Sequence, residues 1–165
     1  MAREIKSKKS FLISIQRFWA WRPVTNLVAP IVHHVDTFFL HLSGGRWDIA
    51  RLAGLPVIEV TTIGAKSGQK RTLPLAGLPD GANFVLIASN FGRERTPAWY
   101  YNLKANPECV IKKKGQAGTY IARETEGEER ERYWDLAVSY YVGFETYKQR
   151  ASHREIPVMV LEPKE

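Results

Sequence analysis

At 165 residues the chain is long enough to bury one full core, and its single cysteine, Cys109, excludes an internal disulfide and a cysteine-rich metal cluster. A net charge of +7 and a pI near 9.6 call for an acidic partner: nucleic acid, an anionic membrane face or a small polyanion. Nucleic acid is the weakest of the three, because the chain has no Cys/His finger, no RNP-like aromatic strand and no clear recognition helix.

Residues 1–22 form a basic, aromatic arm, with Arg3, Lys6, Lys8 and Lys9 followed by Phe11, Ile15, Phe18 and Trp19 at helical spacing. Gln16 and Arg17 interrupt the apolar stretch, so it reads neither as a secretory signal nor as a membrane span. Two readings stay open: an amphipathic helix touching the inner face of the cell membrane, or a stripe packed on the protein's own core. A helical pattern then runs over about 26–42 and ends at Ser43-Gly44-Gly45. The predicted division is an N-terminal arm over 1–45 and a main domain over 46–165. The grouping His33, His34, Asp36 and His41 lacks any metal-ligand spacing, and no metal is expected.

The periodicity changes at residue 57. Val57 to Ile63 predicts a strand, Gly64 to Gln69 a turn, and Arg71 to Leu78 its hairpin partner, with a turn at Pro79-Asp80-Gly81. Phe84 to Ala88 is continuously apolar, as in a strand buried on both faces. Thr96-Pro97 predicts a helix start with threonine as cap, and that helix stops before Asn106-Pro107. Two strands are predicted around Gly115, over Cys109–Lys113 and Ala117–Arg123. Thr125 and Glu128 match a capping box for a helix to about Tyr141, with Gly143 as its breaker and a second helical piece over 144–151. Ile156 to Leu161 is the last strand, and Pro157 puts it at an edge or marks its start. About six strands joined mostly by hairpin-length turns predict antiparallel pairing in a barrel or sandwich. No dinucleotide or P-loop fingerprint is present, because Gly64 and Gly68 have the wrong spacing for either.

Three loops carry the chemistry. Lys66, Ser67 and Arg71 cluster at a hairpin turn whose glycines, Gly64 and Gly68, allow backbone amides to approach a phosphate. Ala88-Ser89-Asn90-Phe91-Gly92 follows the most apolar strand, where amides on a rigid scaffold could meet a planar ring. Trp99, Tyr100 and Tyr101 are consecutive on a short helix and cannot all face the core; Trp99 could offer its indole N–H, and Asn102 could hold the loop. Tyr141, Phe144 and Tyr147 would line one side of a helix that persists past Gly143, as a wall for a planar substrate or simply as core. Glu126, Glu128, Glu129 and Glu131 read as a solvated first turn, and no nucleophile elbow or triad is present.

Taken together, Thr62 to Arg71, Ala88 to Gly92 and Pro97 to Pro107, with the tail Arg154-Glu155-Ile156-Pro157-Val158, closely resemble the deazaflavin-dependent nitroreductase family over about residues 46–163. The resemblance implies an α+β fold, a split antiparallel β-barrel similar to those that bind flavin mononucleotide (FMN), and hydride transfer from reduced coenzyme F420, an 8-hydroxy-5-deazaflavin, to a quinone, enone or nitroaromatic acceptor. It implies that Lys66, Ser67, Gly68, Arg71, Thr72, Leu73 and Pro74 line the cofactor's phosphate and linker. Ala88, Ser89 and Asn90 would meet the ring, Trp99, Tyr100 and Asn102 complete the pocket, and Tyr141, Phe144 and Tyr147 face the acceptor. Such a cofactor brings its own hydride, so the missing triad is expected. Ala65 stands where the family often has arginine, Phe91 where glycine is common, and Phe144 where some members have the middle of three tyrosines. These departures favour a quinone or enone over a bicyclic nitroimidazole. The competing readings are an FMN-binding barrel and a non-catalytic module that binds cofactor or membrane.

Overall fold

The computed structural model describes residues 54–165. The arm, the His33 to His41 grouping and the expected boundary at 45 lie outside the described residues.

Seven strands form one antiparallel sheet in the order β2-β1-β5-β6-β7-β4-β3. They are β1 (Val57–Ile63), β2 (Lys70–Ala76), β3 (Leu78–Asp80), β4 (Asn83–Ile87), β5 (Glu108–Lys113), β6 (Gln116–Glu124) and β7 (Val158–Pro163). Helix α1 (Ala98–Ala105) lies between β4 and β5, while α2 (Gly127–Tyr140) and α3 (Gly143–Arg150) lie between β6 and β7. The seventh strand corrects the sequence reading. The stretch expected as one strand over 71–78 divides at Gly77, where the amide donates to Pro56 O at 2.9 Å and any Cβ would collide with the Ile58 side chain. Only glycine lets the chain pass that close to β1. Gly77 therefore joins β2, at one edge of the described sheet, to β3 at the other. A sheet whose two edges are linked by a single residue must curl on itself, and the result is a seven-stranded half-barrel of the split-barrel kind expected from the sequence.

Alternation along the strands splits the core in two. One face sends Leu78, Val85, Val158 and Val160 against Tyr133, Trp134 and Ala137 of α2 and Phe144 and Tyr147 of α3. The other sends Ile58, Val60, Leu86, Met159 and Leu161 into the concave interior, where Trp99 and Leu103 of α1 close it. This two-sided burial explains why 84–88 is apolar throughout. Cys109 belongs to the interior cluster, and burial pushes its thiol up to about 12, so it behaves as a small core residue.

Three end-of-element expectations are corrected. Pro97, not Thr96, is the residue preceding α1, and no side chain caps that helix. The capping box at Thr125 does not form, because the Thr125 hydroxyl donates instead to Val158 O at 3.1 Å, tying α2 to β7. Gly143 opens α3 rather than closing α2, which ends at Tyr140. Pro157 immediately precedes β7, and β7 is central rather than an edge. Among the described residues no helix is long and apolar enough to cross a membrane.

Candidate functional site

The β1–β2 loop is a tight turn: Gly64 N–H donates to Gln69 O at 2.9 Å, and Gly68 N–H to Gly64 O at 2.8 Å, with Gly68 at a φ of 65°. The Gly68 amide is thus used within the turn, while those of Lys66 and Ser67 have no partner among the described residues. Asn102 of α1 fixes this loop from below. Its carboxamide oxygen accepts from Ala65 N–H at 3.0 Å, and its nitrogen donates to the Thr62 hydroxyl at 3.2 Å. Thr62 is fully buried, and among the described residues its hydroxyl otherwise reaches only Arg71 O at 3.5 Å. Asn102→Ala is expected to cost about 1–3 kcal/mol in denaturant unfolding, since it removes two hydrogen bonds, of about 0.5–1.5 kcal/mol each, that tie α1 to this loop. It is also expected to speed hydrogen exchange at Ala65.

Register along β2 sorts the residues proposed to line the phosphate. Arg71 and Leu73 lie opposite Thr62 and Val60, on the interior face, whereas Thr72 and Pro74 lie opposite Thr61 and Glu59, on the outer face. The Thr72 hydroxyl is hydrogen-bonded to that of Thr61 at 2.8 Å. The side chains of Thr72 and Leu73 therefore cannot meet one ligand from the same side.

The loop after β4 is more strained than its sequence suggests. Ser89 is right-handed helical (φ −70°, ψ −35°), and Asn90, Phe91 and Gly92 follow with φ of 47°, 58° and 75°. A right-handed residue followed by a left-handed one turns successive amides into one concavity, an anion- and carbonyl-binding nest. The amides of Ser89, Asn90 and Phe91 are unused among the described residues, whereas that of Ala88 donates to Pro157 O at 2.9 Å. Left-handed geometry at Asn90 and Phe91 costs roughly 1–2 kcal/mol each. The surroundings hold it in place: Gly92 N–H bonds Ser89 O at 2.9 Å, the Asn90 side chain donates to Arg95 O at 2.7 Å, and the Arg154 guanidinium donates to Ser89 O at 2.9 Å and Arg93 O at 3.0 Å. Burial lowers the Arg154 pKa. In the sequence Arg154 stands only in a terminal motif, because an arginine that clasps carbonyls leaves no local pattern.

On α1, Trp99 is 7% exposed and packs in the interior cluster, so little more than one edge of its indole is open to a ligand. The Tyr100 hydroxyl donates to Glu124 at 3.0 Å, a carboxylate that also holds Lys104 at 2.8 Å; burial first and Glu124 second raise the Tyr100 pKa. Tyr101 is 54% exposed, the aromatic that cannot be buried with its neighbours. Tyr141, Phe144 and Tyr147 do come together although the helix breaks between them. They are 4%, 5% and 5% exposed, with the Tyr141 and Tyr147 hydroxyls 3.2 Å apart. Burial raises both tyrosine pKa values. Phe91 lies edge-on against Tyr147 at 5.8 Å.

The charge pattern is uneven. Carboxylates pair with Lys104, Arg123, Arg130, Arg132 and Lys164. No ion pair among the described residues uses Lys66, Lys70, Arg71, Arg93 or Arg95. Among the described residues these loops therefore offer cations without carboxylate partners and amides without acceptors, a donor set that fits a cofactor carrying a phosphate and a carbonyl-edged ring. Among the described residues no group of three His, Cys, Asp or Glu could hold a metal.

A curled antiparallel half-barrel with such loops is a split-barrel fold carrying a candidate site for a phosphate-bearing cofactor. The sequence pattern of the F420H(2)-dependent quinone reductases matches residues 36–163. An F420H(2)-dependent quinone reductase of Mycobacterium tuberculosis strain H37Rv is 33% identical over 108 residues, 64% of this chain and 72% of that protein. The solved F420-H2 dependent reductase FDR-A is 40% identical with a TM-score of 0.60, over 65% of this chain and 94% of its own. A chain solved as a domain-swapped dimer is 38% identical with a TM-score of 0.61, over 72% and 86%. The chain belongs to the F420H(2)-dependent quinone reductase family. It is an oxidoreductase, and its cofactor is coenzyme F420.

Proposed function

We propose that the protein reduces a quinone with reduced F420, and that the cationic hairpin and the Ser89–Asn90 nest divide the work of holding the cofactor. Lys66 and Arg71 face its phosphate and carboxylates, with the Lys66 and Ser67 amides beside them. Gly68 shapes the turn, and Leu73, with the backbone of Thr72 and Pro74, borders the linker. The ring lies against Ala88, Ser89 and Asn90, with the Trp99 edge and Tyr100 at its flank and Asn102 bracing the loop. The bound deazaflavin supplies the hydride. The protein supplies orientation: the strained nest is set before the ligand arrives, so little reorganisation is needed on binding. The acceptor rests against Phe91, with Tyr141, Phe144 and Tyr147 packed behind it as a rigid aromatic backing. The product's proton comes from solvent, since the Tyr141 and Tyr147 hydroxyls are buried and share one hydrogen bond. In this reading the protein works on the cytoplasmic side, and the basic, aromatic arm over 1–22 brings it to an anionic membrane face where quinones reside.

The observation that carries this reading is the coincidence of cations and of a nest of amides that have no partners among the described residues. The test is anaerobic mixing of the full chain with reduced F420 and menadione. Reappearance of oxidised-cofactor absorbance at a rate proportional to enzyme supports it. Oxidation no faster than without enzyme, for menadione and for longer-chain quinones alike, rejects it. Flotation with anionic vesicles, comparing the full chain with a chain lacking 1–22, decides the membrane contact.

A further inference from the structure

A groove of about 750 Å³ shares Asn90, Phe91 and Gly92 with the nest and is otherwise lined by Arg93, Glu94, Arg95, Arg150 and His153. We propose that this groove is an acceptor subsite that selects a conjugated ring bearing an acidic group, a carboxylate or sulfonate. The proposal rests on the quinone-reductase reading and goes further by naming the acceptor's charge.

Three observations carry it. The first is charge: three arginines face one carboxylate, Glu94, so the groove stays net positive even with His153 neutral. Arg93 and Arg95 are exposed and make no ion pair among the described residues. The second is rigidity. The three consecutive carbonyls of the segment are all tied: Arg93 O by the Arg154 Nε at 3.1 Å, Glu94 O by the His153 Nε2 at 3.3 Å, and Arg95 O by the Asn90 Nδ2 at 2.7 Å. An irregular loop held at every carbonyl presents its side chains from a fixed backbone. Cations so placed bind an anion with less ordering cost than cations on a loose loop. The third is Phe91. A glycine would adopt its φ of 58° without strain, yet a phenyl ring is kept there, braced on Tyr147. A ring bordered by arginines suits a flat acceptor with an acid at its rim, because the guanidinium can grip a carboxylate or sulfonate with two parallel hydrogen bonds. Lys66 and Arg71, on the β1–β2 hairpin, serve the cofactor and are not part of this lining.

The test compares menadione with a naphthoquinone sulfonate under full-chain turnover. Wild type is expected to show the lower KM for the sulfonate, an advantage that shrinks as salt is added. Arg93→Ala with Arg95→Ala is expected to raise the sulfonate KM relative to the menadione KM by about tenfold. Glu94→Gln is expected to shift the same ratio the other way, which keeps the test alive if the arginine variant folds poorly. Arg132→Ala, which removes a cation held by Asp80, is expected to leave the ratio unchanged. A second readout needs no turnover: quenching of tryptophan fluorescence by the naphthoquinone sulfonate in cofactor-free protein. Saturable binding that the arginine variant loses supports the subsite, even if no quinone is reduced and the function reading fails. Equal effects on both quinones, an undiminished fluorescence titration, or a loss of F420 affinity in the arginine variant overturns the proposal; the last would assign the groove to the cofactor.

Discussion

Replacing Lys66 and Arg71 together by alanine is expected to weaken F420 binding by about a hundredfold or more, from two charge-assisted hydrogen bonds at the low end of roughly 1.5–3 kcal/mol each. The low end applies because both side chains are exposed and water screens them. The same property makes the substitution clean. Neither residue forms an ion pair among the described residues, and the turn is held by Gly64, Gly68 and Asn102, none of which changes. Stability in denaturant is expected to stay within about 0.5 kcal/mol. Binding is read by tryptophan quenching with oxidised F420 at two salt concentrations, with FMN run beside it. Wild-type affinity should fall with salt, and the double variant should lose much of that slope. A double variant with near wild-type affinity would move the phosphate away from this hairpin.

Gly92→Ala is expected to destabilise the protein by roughly 2–5 kcal/mol, combining left-handed backbone strain of about 1–2 kcal/mol with overpacking of about 1–3 kcal/mol. The residue has a φ of 75°, and a methyl group would stand 2.8 Å from Tyr147 O and 2.7 Å from the Arg150 Cβ. Both contacts belong to α3, and one of them is backbone that cannot swing aside. Relief requires α3 to back away from the loop, which disturbs the Phe91–Tyr147 contact and the nest at once. Thermal unfolding and F420 titration should therefore both change in this variant, unlike the hairpin variant, where only binding should. An alanine variant with full stability and affinity would mean that the loop and α3 are not tightly coupled.

The elements that were legible are those with an uninterrupted local signal. The strand expected over Val57–Ile63 is observed at those limits, and the apolar run at 84–88 is a central strand because both of its faces are covered. The division at Gly77 was not legible, because Arg71 to Leu78 keeps a strand-like composition through the corner. What breaks it is the approach of Ile58, a contact with a residue distant in sequence. The cap at Thr125 failed for a related reason: its hydroxyl has a tertiary partner that outcompetes the local one, whereas at Thr96 the helix simply starts one residue later, after Pro97. At the site, the two glycine-flanked loops and the bracing role of Asn102 could be read from residue type and spacing. The left-handed pair Asn90–Phe91 could not, since only asparagine hints at it, nor could the Arg154 clasp. Tyr141, Phe144 and Tyr147 meet, but not along one continuous helix as their spacing suggested. The helix ends before them, yet the turn at Tyr141–Val142 folds the three rings together, largely buried.

The position of β7 bears on how the protein is made. It lies between β6 and β4, and it pairs with both. Until residues 158–163 leave the ribosome, the meander β2-β1-β5-β6 and the hairpin β3-β4 share no strand pairing across that gap. Each exposes an unpaired strand edge, at β6 and at β4, for as long as α2 and α3 are being translated. Unpaired edges invite pairing with other chains. The nascent protein thus depends on its final strand to stop being sticky, and a stalled or clipped product ending near residue 150 should aggregate rather than accumulate as a smaller barrel.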